Sequence, residues 1–165
     1  MSDSPIDARL AELGLTWPET PAAVGSYLPR VRDGRRLVIS GQLPFAAGEL
    51  MHTGRVPSSV TLEQARAAAR QCGLNALAQV RAEIDGDWSK LERIVRVGVF
   101  VASDADFDQQ AAVANAVSDF LADLLGDRGR HARAAVGCSA LPLHAPVEVE
   151  RTVRFAYWPP GRPPP

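Results

Sequence analysis

Apolar positions recur along this chain in two rhythms. From residue 62 they fall at Leu62, Ala65, Ala69, Cys72, Ala76, Val80 and Ile84, the three-to-four spacing that lays one face of a helix against a core. Thr61-Leu62-Glu63-Gln64 marks its start, because a hydroxyl and an amide three residues later can each satisfy an orphan backbone donor. A second one-sided set, Val113, Val117, Phe120, Leu121 and Leu124, predicts another helix ending at Gly126 and opened by the cap-like run Asp106-Phe107-Asp108-Gln109. Elsewhere the rhythm is two. Val95, Val97, Val99 and Val101 share one side of a strand over 93–101. In the segment from Pro146 to Tyr157, Val147, Val149, Val153, Phe155 and Tyr157 face one way while Glu148, Glu150, Thr152 and Arg154 face the other. Ala134 to Ala140 is a further strand. Nearer the start, two strand-like runs, 27–32 and 35–40, flank Asp33-Gly34, a two-residue signal for a tight hairpin.

The resulting order, β-β-α-β-α-β-β, predicts an α+β domain with one mainly antiparallel sheet and two helices on one of its faces. Residues 1–22 read as an N-terminal arm with a short amphipathic piece from Ile6 to Leu15, stopped by Pro18 and Pro21. The domain spans 23–157, and 158–165, with its five prolines, reads as a disordered tail. Residues 45–59 read as loop or short strand. The sheet face away from the helices carries Arg96, Arg154, Glu148 and Glu150 among small and apolar neighbours, and a partly apolar second face calls for a partner. A closed homo-oligomer is the expectation.

Composition narrows the function classes. At 165 residues and 46% apolar the chain has room for one core. A net charge of -1 and the lack of any basic run argue against binding to nucleic acid or to an anionic membrane surface. Cys72 and Cys138 lie far apart without metal-ligand spacing, and His131 and His144 have no histidine four residues on, so no metal site and no disulfide framework is expected. No window approaches about 18 consecutive apolar residues and no export signal leads the chain, so a soluble, cytoplasmic protein with no membrane partner is expected.

The densest chemistry lies between Gly129 and Glu150, which holds Arg130, His131, Arg133, Cys138, Glu148 and Glu150. If its two strands pair as a hairpin around Leu141-Pro142, Arg133 and Glu148 come to the same end of the sheet. An arginine fork can grip a carboxylate bidentately while a nearby carboxylate orients a water. From spacing alone the same residues serve equally well as a structural ion pair. Asn115, in the middle of the second helix, reads from pattern as an exposed polar position.

The run Arg133-Ala134-Ala135-Val136-Gly137-Cys138-Ser139-Ala140-Leu141-Pro142, followed by Val147-Glu148-Val149-Glu150, resembles the C-terminal signature of the RidA family, also called YjgF or L-PSP endoribonuclease-like. Gly25-Ser26-Tyr27 and Ile39-Ser40-Gly41-Gln42-Leu43-Pro44 fit the same resemblance, which covers about Ala23 to Phe155 and suggests a divergent subgroup. It implies a chorismate-mutase-like fold, a homotrimer whose sheets form a central barrel, and clefts between subunits. It also implies hydrolysis of small 2-imino or enamine acids, such as 2-iminobutanoate or 2-iminopropanoate, to 2-keto acids and ammonia without a cofactor. By that similarity Arg133 grips the substrate carboxylate and Glu148 attends the hydrolytic water. Tyr27, Ser40, Gly41 and Asn115 line the cleft. Where the deaminases commonly carry a cysteine two residues past the arginine, this chain has Ala135, which leaves turnover open. The alternatives are a non-catalytic binder of small carboxylates or keto acids and, further off, an endoribonuclease. His131 is a possible extra proton donor near the cleft.

Overall fold

The computed structural model describes residues 4–20 and 25–156. The expected tail, and Tyr157 before it, lie outside the described residues. The sheet comprises β1 (Arg30–Asp33), β2 (Arg36–Gln42), β5 (Leu91–Ala102), β6 (Ala132–Cys138) and β7 (Val147–Phe155), in the order β1-β2-β7-β5-β6. A small hairpin of β3 (Phe45–Ala46) and β4 (Glu49–Leu50) stands apart in the segment read as loop or short strand. All pairings in the large sheet are antiparallel except β5 with β6. Helices α2 (Leu62–Glu83) and α3 (Gln110–Leu125) pack on one face of it and on each other.

Local chemistry explains most boundaries. Thr61 accepts from the Gln64 amide while the Gln64 side chain accepts from the Thr61 amide, so α2 begins where the capping box predicts. The start of α3 is different. Gln109 is its N-cap and makes no side-chain cap hydrogen bond, so the cap-like run before it does not cap the helix. The first hairpin turns one residue later than expected, with Asp33 paired to Arg36 across Gly34-Arg35 and Gly34 at φ 58°.

Strand β5 carries a further correction. A register shift between Ile94 and Arg96 turns Ile94 into the core and leaves Val95 outward, so only Val97, Val99 and Val101 of the expected valine row are buried. The N-terminal segment forms a helix, α1 (Pro5–Glu12), which buries Ile6 and Leu10 beside α3. Behind it Trp17 stacks on Trp88 with ring centroids 5.4 Å apart.

The core lies between the helices and the inward row of each strand. β7 alternates strictly, Val147, Val149, Val153 and Phe155 buried, but its inward row also contains Arg151, 1% exposed. Among the described residues, no helix covers the opposite sheet face. Val31, Val38 and Val136 stand exposed there, with Arg96 bonded to Glu150 at 2.7 Å and Arg154 bonded to Glu92.

Candidate functional site

The hairpin expected around Leu141-Pro142 does not form. Strand β5 intervenes between β6 and β7, pairing parallel to the first and antiparallel to the second. The reason lies in the connection, which bends through a short helical turn at Pro142–His144 with Leu143 and His144 at positive φ, and carries the chain past the edge of β5. Arg133 is level with Val97 of β5, and Glu148 with Phe100. An odd spacing along β5 puts them on opposite faces. Arg151, Val97 and Arg133 form a row on the helix side, whereas Glu148, Phe100 and Val136 form a row on the open side. Within one protomer the two residues therefore do not meet.

Two separate clusters result. In the first, a bulge in β2 between Ile39 and Gln42 sets Gly41 beside β7. A β-carbon added at Gly41 would lie 1.7 Å from Glu148 Oε1, so only glycine leaves that carboxylate its place. Gly98 on the other flank does the same for Glu150, whose Oε1 would be 2.7 Å from an added β-carbon. Burial, then the charge of Glu150, holds the Glu148 carboxyl above the usual carboxylate range. Ser40 Oγ donates to the Leu28 carbonyl at 2.7 Å and so anchors the segment that carries Tyr27, itself 51% exposed. Tyr27, Ser40, Gly41 and Glu148 thus belong to the β2–β7 side of the sheet. Cys138 shares the open face with Glu148, whose charge adds to burial in raising its thiol pKa.

The second cluster is at the opposite edge, between β6 and α3. Arg133 Nη1 donates to Asn115 Oδ1 at 2.9 Å and to Ser118 Oγ at 3.0 Å. Asn115, read from pattern as merely exposed, holds the arginine. Ser118 Oγ also lies 3.1 Å from His131 Nε2, and His131 Nδ1 lies 2.6 Å from the Gly129 carbonyl. Ser118 carried no signal of its own in the sequence, since a serine on a helix is ordinary; what could have found it is its place one turn after Asn115, on the same face. Ala135 follows Arg133 on the inward side and packs against the core.

Two cavities of the protomer, about 370 Å³ between α2 and α3 and about 410 Å³ beyond the carboxyl ends of β5 and β6, are lined by none of Tyr27, Ser40, Gly41, Asn115, Arg133 or Glu148. The residues singled out from the sequence thus fall into two separate clusters on opposite faces of one sheet, one along β2 and the central strand β7 and the other along the edge strand β6.

Comparison with known proteins gives this architecture its relatives. Residues 7–151 match the YjgF/chorismate mutase-like family, whose description includes a candidate endoribonuclease activity. Protein TCP17 of Trypanosoma cruzi is 39% identical over 151 residues, covering 91% of this chain and 94% of that protein. The crystal structure of Atu1372, a protein of unknown function from Agrobacterium tumefaciens, superposes with a TM-score of 0.86 at 44% identity, covering 92% of each chain. A 2-iminobutanoate/2-iminopropanoate deaminase of Dermatophagoides farinae is 24% identical over 139 residues, 84% of this chain and 93% of that one. Fold and sequence agree, and the chain belongs to the RidA/YjgF, chorismate mutase-like family.

Proposed function

We propose that this protein hydrolyses small, reactive 2-imino and enamine acids to 2-keto acids and ammonia, in a cleft that a second copy of the chain completes. The observation that carries the reading is the state of Arg133. Both protons of Nη1 are engaged by α3, while Nε and Nη2 have no partner among the described residues. That leaves one edge of a rigid fork directed at nothing, the arrangement that binds a carboxylate side-on.

The chemistry follows from the other cluster. A carboxylate with a raised pKa is a better base for water than an ordinary one, and Glu148 is half-buried beside a backbone that a glycine keeps close. With the substrate carboxylate on Arg133, Glu148 takes a proton from water as its oxygen adds to the C=N carbon. Glu148 passes that proton to the imine nitrogen, giving a neutral carbinolamine, then takes the carbinolamine's hydroxyl proton and delivers it to the nitrogen as the C–N bond breaks, releasing ammonia and the 2-keto acid. Water is the sole co-reactant, and positioning supplies most of the rate. Arg133 and Glu148 come from neighbouring copies, which a homotrimer built through the open sheet faces, with their exposed Val31, Val38 and Val136, brings together. The related deaminase supports this reading through its name.

Ala135 favours a second reading. With no thiol two residues beyond Arg133, the cleft retains an anchor and lacks one polar group, which suits a binder of keto acids or other small carboxylates. The neutral net charge weighs against ribonuclease activity. One experiment separates these readings. Imino acids are generated in situ by an amino-acid oxidase and their decay is followed with and without the protein. Acceleration that disappears in Arg133→Ala supports the deaminase. Thermal stabilisation by pyruvate that depends on Arg133, with no acceleration, supports the binder.

A further inference from the structure

The chain of contacts behind Arg133 has a direction that can be worked out atom by atom. A backbone carbonyl only accepts, so the 2.6 Å contact between His131 Nδ1 and the Gly129 oxygen requires the proton on Nδ1. In the neutral ring Nε2 is then an acceptor. Its 3.1 Å contact to Ser118 Oγ is therefore made by the serine hydroxyl donating to the ring. That fixes the hydroxyl's rotor and leaves its lone pairs facing Arg133, which donates to it at 3.0 Å. The order runs from Arg133 through Ser118 and His131 to Gly129, each group donating to the next. Asn115 Oδ1 takes the second proton of Nη1 at 2.9 Å.

We propose that His131 and Ser118 are positioning residues that lock the Arg133 guanidinium with its Nε–Nη2 edge turned outward, and that this fixed edge selects ligands bearing a planar carboxylate. The inference rests on the reading of Arg133 as the ligand anchor. A guanidinium on a free side chain rotates among several faces and accepts any anion; one whose Nη1 is held at both protons presents a single pair of parallel donors. A carboxylate matches that pair with two oxygens in one plane. Sulfonates, with three oxygens on a tetrahedral centre, match it less well.

The charged groups acting on the His131 ring are both cations. Burial, then Arg151 of β7 and Arg133 of β6, holds its pKa below the usual histidine value, with the Gly129 carbonyl opposing. A neutral acceptor ring is thereby favoured at physiological pH. Protonating the ring would turn Nε2 into a donor and break the contact that orients Ser118, so acid is expected to loosen the lock and weaken binding.

The test has a ligand-free and a ligand-bound arm, both on the full chain. In the free protein, nitrogen-15 NMR of His131 is expected to show the Nδ1–H tautomer, the minor form of free histidine; finding Nε2–H overturns the proposal. Pyruvate and its sulfonate analogue are then titrated against wild type, Ser118→Ala, Ser118→Thr, His131→Ala and Arg133→Ala. Expected is about a tenfold loss of pyruvate affinity in Ser118→Ala and His131→Ala, recovery in Ser118→Thr, and a narrower gap between carboxylate and sulfonate in the two alanine variants. Pyruvate binding that needs Arg133 but is indifferent to Ser118 and His131 overturns the proposal alone. Absence of Arg133-dependent binding overturns the anchor reading, and this proposal with it.

Discussion

Glu148 shows how a single residue trades stability for chemistry. Its carboxyl is held above the ordinary range first by burial and second by Glu150, so its folded-state pKa exceeds its unfolded one. A group shifted in that direction contributes stability that is fully present below the unfolded pKa and is lost as pH rises through the folded pKa. At neutral pH the ionised Glu148 is therefore a destabilising charge. Glu148→Gln is expected to raise Tm at pH 7, with the gain vanishing below the ordinary carboxylate range, while imine hydrolysis is lost; thermal melts across that range at fixed protein concentration check it. Gly41→Ala isolates the geometric part. Its β-carbon would occupy the position of Glu148 Oε1, so the carboxylate must swing away. The expected outcome is a folded protein whose rate of imine consumption falls by about tenfold or more, since a displacement of about 1 Å at a reacting group costs that much and further. A rate within twofold of wild type would show that Glu148 does not act from this position. Gly41 was legible in the sequence as a cleft residue through the family resemblance, but which side chain approaches it was not, because that depends on a bulge no local pattern announces.

At the scale of elements, the sequence spoke most clearly where local chemistry and periodicity coincide. The capping box of α2 and the alternation of β7 survive into the structure because each is decided within a few residues. The pairing of β6 and β7 was misread for the opposite reason. Both are strands with a short link between them, and a hairpin is the cheapest local solution, yet β5 is inserted by pairings 36 to 64 residues apart in sequence. Arg151 was passed over for a related reason: it sits between Val149 and Val153 on the inward row, where alternation predicts an apolar residue. It is buried against α2, donating through Nη2 to the Gly73 carbonyl at 3.0 Å, while its Nε and Nη1 have no partner among the described residues. Burial pulls its pKa well below the usual arginine range. A buried cation with unmade hydrogen bonds is costly, and an apolar side chain of like length fits the same slot. Arg151→Met is expected to shift the denaturation midpoint upward by the equivalent of about 1–4 kcal/mol with the m-value unchanged. A downward shift would mean that this guanidinium is satisfied within the assembled protein.

The whole molecule resolves what neither residues nor elements can. Arg133 and Glu148 stand on opposite faces of one sheet, separated by β5, so the two residues proposed to act together do not meet within one protomer. If the working cleft pairs Arg133 of one copy with Glu148 of the next, two dead variants must rescue each other. Arg133→Ala and Glu148→Gln homo-oligomers are each expected to be inactive when assembled alone. Unfolded together in equal amounts and refolded, a cyclic trimer places an intact Arg133 subunit next to an intact Glu148 subunit in about one cleft in four, so about a quarter of wild-type activity should return. Mixing the two variants without unfolding should restore it only as fast as subunits exchange. The same measurement distinguishes the other geometry: if both residues acted from a single chain, every cleft in the mixture would lack one of them and no activity would return. Val38→Asp, placed on the exposed sheet face, supplies the control. It is expected to leave each protomer folded by circular dichroism while lowering the solution mass, and with the loss of assembly the rescue should disappear even though Arg133 and Glu148 are both untouched.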